Sequence, residues 1–295
     1  MARFVLSAFA DEAGSTLAEQ IDALLENGIS YIEPRFVDGR GILELSDEEL
    51  REMRSALDEA GITVGSLGSP IGKYPIDSPF DEHRTAVHRA LHAAQLLGTS
   101  RIRMFSFFVE PEAYTSAREE VLRRLRTMVA DAEAFGIHMC HENESGIYGC
   151  HPAQVEDILC EVPALGGILD PANYIVNGAD VKEGLRVTLP RLSYLHIKDA
   201  VYNDEGKHII VPAGEGDGDI AGLLRAVDKH RDDCIMLTLE PHLHLFDAYT
   251  AIDGHGLSGR HTFTSRREAF DYAVEALKKV LRELGFREEN GQWKK

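Results

Sequence analysis

The sequence predicts an α/β fold, a (β/α)8 TIM barrel built as a single domain over residues 1–285, and three observations predict it. Apolar runs rich in β-branched residues alternate eight times with longer amphipathic runs. The 295 residues show no break in composition and no Pro/Ser-rich linker, and the length is ordinary for one such barrel. Connections from helix to strand shrink to a glycine and one or two residues, whereas those from strand to helix are long. An open doubly wound sheet is the competing architecture, but no strand leads into the G-x-G-x-x-G turn that would mark it.

The elements follow in order. The first strand, 4–9, is the run F-V-L-S-A-F; Asp11 and Glu12 arrive before a signal-peptide hydrophobic region could be completed. A helix over 16–26 stops at Gly28, and a strand over 31–34 follows. Ser46 with Glu49 is a capping-box signature for the helix 47–60, which Gly61 closes ahead of the strand 63–67. The helix 82–97 ends at Gly98 before the strand 101–105, and the helix 117–135 ends at Gly136 before the strand 137–142. At each of these stops glycine suits the left-handed cap that a helix C-terminus favours. Helix 152–159, strand 167–170, helix 181–188 and strand 194–197 supply two further units, and the helices 220–229 and 266–284 flank the last strand, 235–240. Residues 286–295 read as a polar, loosely held C-terminal tail.

Lys and Arg total 31 against 49 Asp and Glu, a formal charge of −18. That balance opposes non-specific binding to nucleic acid and to anionic membranes. No apolar run approaches the roughly 20 residues that span a bilayer, so a cytoplasmic location is the default expectation. Cys140, Cys150, Cys160 and Cys234 show no C-x-x-C spacing and are expected as reduced thiols.

Four of the apolar strands end in metal-binding residue types: Glu142, Asp170, His196 and Glu240. In a closed barrel such positions converge on the axis at the face where the long loops lie, at 106–116, 171–180, 199–219 and 241–265. The last two exceed the length usual for an unstructured connection, which favours a lid or binding role. Three carboxylates and an imidazole brought together away from water need a compensating cation. The expectation is one divalent metal held by all four. Hard O3N donors suit Mn2+ first, with Mg2+, Co2+ and Zn2+ as alternatives.

The motifs H-E-N-E, L-D-P-A-N-Y, L-H-I-K-D, G-E-G-D-G-D-I and L-E-P-H-L, with the opening S-A-F-A-D-E and the segment Y-I-E-P-R, resemble the sugar phosphate isomerase/epimerase family. That family belongs to the xylose isomerase-like TIM barrel superfamily, with inosose dehydratases, ketose 3-epimerases and endonuclease IV. The resemblance spans nearly the whole chain. It implies the same four metal ligands, with Glu142 and Glu240 doubling as catalytic acid and base. The implied function is a metal-dependent isomerase or epimerase of carbohydrate metabolism. It would abstract a proton beside the carbonyl of a sugar or sugar phosphate and pass through a metal-stabilised enediolate. A dehydratase of a polyol-ketone such as an inosose is the alternative, and a non-catalytic sugar-binding barrel the third reading. A homo-oligomer is compatible with these expectations.

Lys198, Arg35 and Arg103 are substrate-binding candidates because each offers a cation close to a strand end. Asn173 stands where ketose 3-epimerases carry a histidine, and Tyr202 where they carry an arginine, which leaves the subtype open. Asn173 and His208, twelve residues after His196, complete the substrate-binding candidates. The glycine-rich stretch 214–220 reads as a turn ending in an Asp219 N-cap, since Asp217 and Asp219 would repel a phosphate.

Overall fold

A computed structural model describes residues 1–203, 206–244 and 261–295. Eight parallel strands among these residues form the barrel: β1 Arg3–Ala8, β2 Tyr31–Ile32, β3 Thr63–Val64, β4 Arg101–Met104, β5 His138–Glu142, β6 Gly166–Leu169, β7 Leu192–Ile197 and β8 Cys234–Leu239. Continuous parallel ladders join β4 through β8 and return to β1, where Arg3 pairs with Cys234 and Ala8 with Leu239. Isolated hydrogen bonds, one on one side and two on the other, close the ring across the two shortest strands. Glu33 donates its amide to the Ala8 carbonyl at 3.0 Å, and Leu67 donates to Arg101 at 2.9 Å while accepting from Arg103 at 3.0 Å.

The principal helices are α1 Leu17–Glu26, α2 Asp47–Glu59, α3 Phe80–Leu97, α4 Tyr114–Ala134, α5 Pro152–Glu161, α6 Pro171–Val176, α7 Val181–Thr188, α8 Ile220–His230 and α9 Arg266–Glu283. The expected capping box at Ser46 and Glu49 is formed on α2, and Thr16 with Glu19 makes another on α1. Gly28, Gly61, Gly98 and Gly136 all take positive φ after their helices. The short α6 was not expected: Asp170 caps it and Pro171 opens it. No helix among the described residues is long and apolar enough to cross a membrane.

Strand alternation sorts the core into two parts. Residues pointing outward, such as Phe4, Leu6, Ile102, Leu195 and Leu237, pack with the helices in one large cluster. Val5, Cys140, Ile168, Tyr194 and Met236 form a separate apolar cluster, the inner layer of the barrel. Two residues further along the same strands stand Ser7, Glu142, Asp170, His196 and Thr238, all buried. The inner face thus changes from apolar to polar in one step of the strand period.

One expectation is corrected. Residues 286–295 are no loose tail: Arg287–Glu289 and Gln292–Lys294 pair as an antiparallel ribbon, and Trp293 lies opposite Phe4 on the edge of β1. Phe286 and Trp293 are buried, with Phe286 5.0 Å from the Phe4 ring. Two large aromatics in a polar stretch anchor the chain by burying apolar area.

Candidate metal centre

The polar inner layer holds the four strand-end residues. Glu142 is the last residue of β5, Asp170 follows β6, His196 lies in β7 and Glu240 follows β8. Each offers one ligand atom, and these atoms all lie within 4.8 Å of one another. His196 Nδ1 is 2.9 Å from Glu142 Oε1 and 3.4 Å from Glu240 Oε2. The other ring nitrogen, Nε2, faces Glu33 at 3.4 Å. Glu33 is itself held by the Tyr194 hydroxyl at 2.8 Å and the Thr238 hydroxyl at 3.1 Å. A carboxylate behind the imidazole fixes its orientation, as outer partners of metal-binding histidines do.

Asp170 is fixed by its neighbours. Its backbone amide donates to Asn143 Oδ1 at 2.9 Å, its carbonyl accepts from Asn143 Nδ2 at 2.8 Å, and its Oδ1 accepts the Asn173 amide at 3.0 Å. Oδ2 is left with no aligned hydrogen bond, as is Glu240 Oε2. Both oxygens face Lys198 Nζ, at 2.9 and 3.5 Å, in contacts that are ionic rather than aligned hydrogen bonds. Buried carboxylate oxygens so placed beside an imidazole nitrogen are the donor set a divalent cation would complete, and this buried acidic/His cluster could hold a metal.

The electrostatics agree. Burial pushes Asp170 up to about 7, with Lys198 opposing and the Glu240 and Glu142 carboxylates reinforcing the rise. Burial disfavours charge on His196 too, yet Glu142 and Glu33 outweigh it and hold the imidazole well above its usual value. At Glu240 burial is overcome by Lys198, His196 and His242, which keep the carboxyl well below the usual range. Lys198, pulled down by burial, is held up by Asp170 and Glu240. Of the Asp170–Lys198 pair, the lysine keeps its charge, and the crowded carboxyl bears the cost of three acids in one place.

A cavity of about 370 Å3 opens above the centre. Arg35, Arg103, Lys198 and Asn173 line it, with Glu240. Arg35 bridges Asp11 at 3.0 Å and Glu240 at 2.8 Å, and Arg103 reaches Glu142 at 3.3 Å. The two guanidinium groups stand 4.5 and 4.8 Å from the centre of the Phe9 ring. Asn173 Nδ2 donates to the Asn143 carbonyl at 2.9 Å and lies 3.4 Å from Glu142 Oε1. His208 is not brought to this cavity. It opens the strand His208–Val211, paired antiparallel with Asp199–Tyr202, because the chain turns back on itself after β7. A wider depression of about 570 Å3 lies at the opposite end of the barrel, beside His138, Pro163 and Arg231, far from this chemistry.

The structure also brings in residues that the sequence reading did not assign. Asp11 and Glu12 follow β1, and Glu12 accepts the His242 amide at 2.7 Å. Burial, reinforced by Glu240 and Asp11 against Arg35, pushes Glu12 up to about 8. Lys73 and Glu144 pair at 3.0 Å on the rim. The available signal was the acidic pair directly after an apolar strand, the same feature that marked the other four. The glycine-rich turn behaves as expected at its end, where Asp219 caps α8. Its amides have an occupant: Gly214, Gly216 and Gly218 donate to the Asp199 carboxylate at 2.9, 3.0 and 2.9 Å. A Cβ at Gly216 would stand 2.1 Å from Asp199 Oδ1, which explains glycine there. The lid role expected of 241–265 falls largely on residues 245–260, outside the described residues.

Comparison with known proteins defines the class. The family model described as xylose isomerase-like TIM barrel matches residues 21–254, and the chain belongs to that family. A search of curated protein sequences finds no match. Among solved structures, the chain is similar to the IolI protein with a bound zinc atom, at 16% identity and a TM-score of 0.72, covering 95% of this chain and 99% of that one. It is also similar to the probable 3-DHS dehydratase AsbF of Bacillus anthracis, at 15% identity and a TM-score of 0.69 over 94% and 99% of the two chains. A D-psicose 3-epimerase, determined in the presence of D-fructose, shows 15% identity and a TM-score of 0.67 over 95% and 99%. These likenesses establish the fold.

Proposed function

We propose that the chain is a divalent-metal-dependent isomerase or epimerase of a polyhydroxy carbonyl compound, with Glu142, Asp170, His196 and Glu240 as metal ligands and Glu142 and Glu240 as the proton-transfer pair. The observation that carries the proposal is the convergence of these four side chains, with Asp170 Oδ2 and Glu240 Oε2 left without aligned hydrogen bonds in a buried site. A divalent cation, Mn2+ in the first instance, would polarise the substrate carbonyl and offset the negative charge growing on its oxygen. Glu240 and Glu142 come from strands on different sides of the barrel mouth, as removal and return of a proton at a bound carbon would require. Lys198 and Arg103, each in contact with one or both of these acids, would orient substrate oxygens and hold the carboxylates in place. Asn173 offers an amide beside Glu142.

The test is hydrogen exchange in D2O with added Mn2+ over a panel of ketoses and inososes, read by mass spectrometry. Glu142→Gln and Glu240→Gln are each expected to lower exchange by about 10²–10⁴-fold, the usual worth of a placed acid or base. Undiminished exchange in either variant would remove that residue from the reaction. Loss of water from the product would assign the site to the dehydratases of this fold; unchanged mass keeps the isomerase reading.

A further inference from the structure

The cavity has two unlike sides. Toward β5–β8 it is lined by Lys198, Asn173, Glu240 and His242; toward β2–β4 the apolar side chains Phe36, Ile42, Leu43, Pro70 and Phe108 stand among the charged Arg35, Glu44, Lys73 and Arg103. This apolar side is built. Gln20 Nε2 donates to the Phe36 carbonyl at 2.9 Å, Arg89 Nε donates to the Leu43 carbonyl at 3.2 Å, and Ile42 donates its amide to Arg35 at 2.8 Å. Phe108 is held on a ribbon of backbone bonds, Phe105 to Ile71, Phe107 to Gly72 and Phe108 to Tyr74, at 2.7–3.0 Å. Gly72 is required in that ribbon, because a Cβ there would lie 2.0 Å from the Phe105 carbonyl oxygen. Phe108 nevertheless keeps 41% of its surface exposed. A large apolar side chain on a hydrogen-bonded backbone, left part-exposed on a cavity wall among the described residues, calls for an apolar ligand surface.

Charge argues the complementary point. Among the described residues, each of the four Lys and Arg cations lining the cavity is met by a carboxylate: Arg35 by Asp11 and Glu240, Arg103 by Glu142, Lys198 by Asp170 and Lys73 by Glu144. The glycine-turn amides, donors of the kind that bind anions, are taken by Asp199. Glu44 adds negative charge to the lining. A phosphate would meet acids here without a cation in reserve among the described residues.

We infer that, if the site works on a polyhydroxy carbonyl compound as proposed above, its substrate is unphosphorylated and carries an apolar or ring substituent at the end remote from the metal centre. Phe36, Leu43 and Phe108 contact that substituent and set the specificity.

The experiment is calorimetric titration of the Mn2+-loaded full chain with three matched ligands: a ketohexose, its 6-phosphate and its 6-O-benzyl ether. The ether is expected to bind about tenfold more tightly than the parent, the scale of partly burying one ring, and the phosphate about tenfold more weakly. The double variant Phe108→Ala/Leu43→Ser should bring the affinity of the ether down to that of the parent in the same variant, with metal content measured alongside as the check on folding. Tighter binding of the phosphate, no gain from the benzyl group, or a gain that survives the double variant would overturn the inference. Binding is read without turnover, so the expected affinities without deuterium exchange would sink the proton-transfer reading alone. Exchange with preference for the phosphate would sink this inference alone.

Discussion

Strands β5–β8 and strands β1–β4 reach the same height in the barrel and bring different chemistry to it. The second half supplies Glu142, Asp170, His196 and Glu240, acids gathered around one imidazole and one lysine. The first half supplies Arg35 and Arg103, the acids Asp11, Glu12 and Glu33, and the apolar wall of the cavity. In the first half the buried negative charge of Asp11 and Glu12 is met by the Arg35 guanidinium, although Glu12 Oε1 also lacks an aligned hydrogen bond. In the second, Asp170 Oδ2 and Glu240 Oε2 lack aligned hydrogen bonds and share Lys198. A permanent counter-charge suits structure, whereas an exchangeable one suits a metal and a substrate.

The largest effect expected from this division is on stability. Arg35→Met leaves Asp11, Glu12 and Glu240 buried without their guanidinium, which should cost about 3–5 kcal/mol, measured by urea denaturation. Lys198→Met leaves Asp170 and Glu240 facing each other in the same way. Its penalty is expected to shrink when Mn2+ replaces a chelator in the buffer, because the ion supplies the missing charge, while the Arg35→Met penalty persists. Equal rescue of both variants would erase the distinction between the halves.

A smaller effect concerns how the first half orients the second. Glu33 faces His196 Nε2 at 3.4 Å while accepting from Tyr194 and Thr238. In Glu33→Gln the amide oxygen still accepts from one of those hydroxyls and the amide nitrogen can donate to the oxygen of the other, so the fold should hold. The imidazole loses its anionic partner, and Mn2+ affinity by equilibrium dialysis is expected to fall about 10–100-fold. Unchanged affinity would show that His196 is oriented without help from β2.

The two halves were also unequally legible. The eight strands and their helices could be read from hydrophobic period, capping boxes and glycine stops, because these are local signals. Glu142, Asp170, His196 and Glu240 stood out because each closes an apolar run that a charge would otherwise spoil. Asp11 and Glu12 obey the same rule, yet they lie next to the N-terminus, where the motif S-A-F-A-D-E carries a resemblance without assigning either residue a role. Phe36, Leu43 and Phe108 were invisible as site residues, since an apolar side chain in a loop has no pattern that separates cavity wall from core. His208 failed for the opposite reason: its distance from His196 in sequence says nothing of a ribbon that folds back. Phe286 and Trp293 were overlooked because the charges around them dominate the composition of the tail.

The smallest effect tests how the apolar side is held. Gly72 donates its amide to His83 Nε2 at 3.1 Å, and the His83 ring stacks on Tyr74 at 4.8 Å and meets Phe107 edge-on at 5.5 Å. The unprotonated nitrogen is the acceptor, and burial, helped by Arg124, lowers the imidazole from 6.5 to about 4. The folded state therefore binds fewer protons than the unfolded chain between these values. The stabilisation from neutral His83 is complete above pH 6.5 and is lost as pH falls toward 4. Between pH 7 and 5 the loss should be on the order of 1 kcal/mol. In His83→Gln the side-chain oxygen can accept the Gly72 amide and does not titrate, so urea midpoints of this variant should fall less over the same interval. Parallel pH profiles for the two proteins would mean that the ribbon carrying Phe108 stands without the His83 bond.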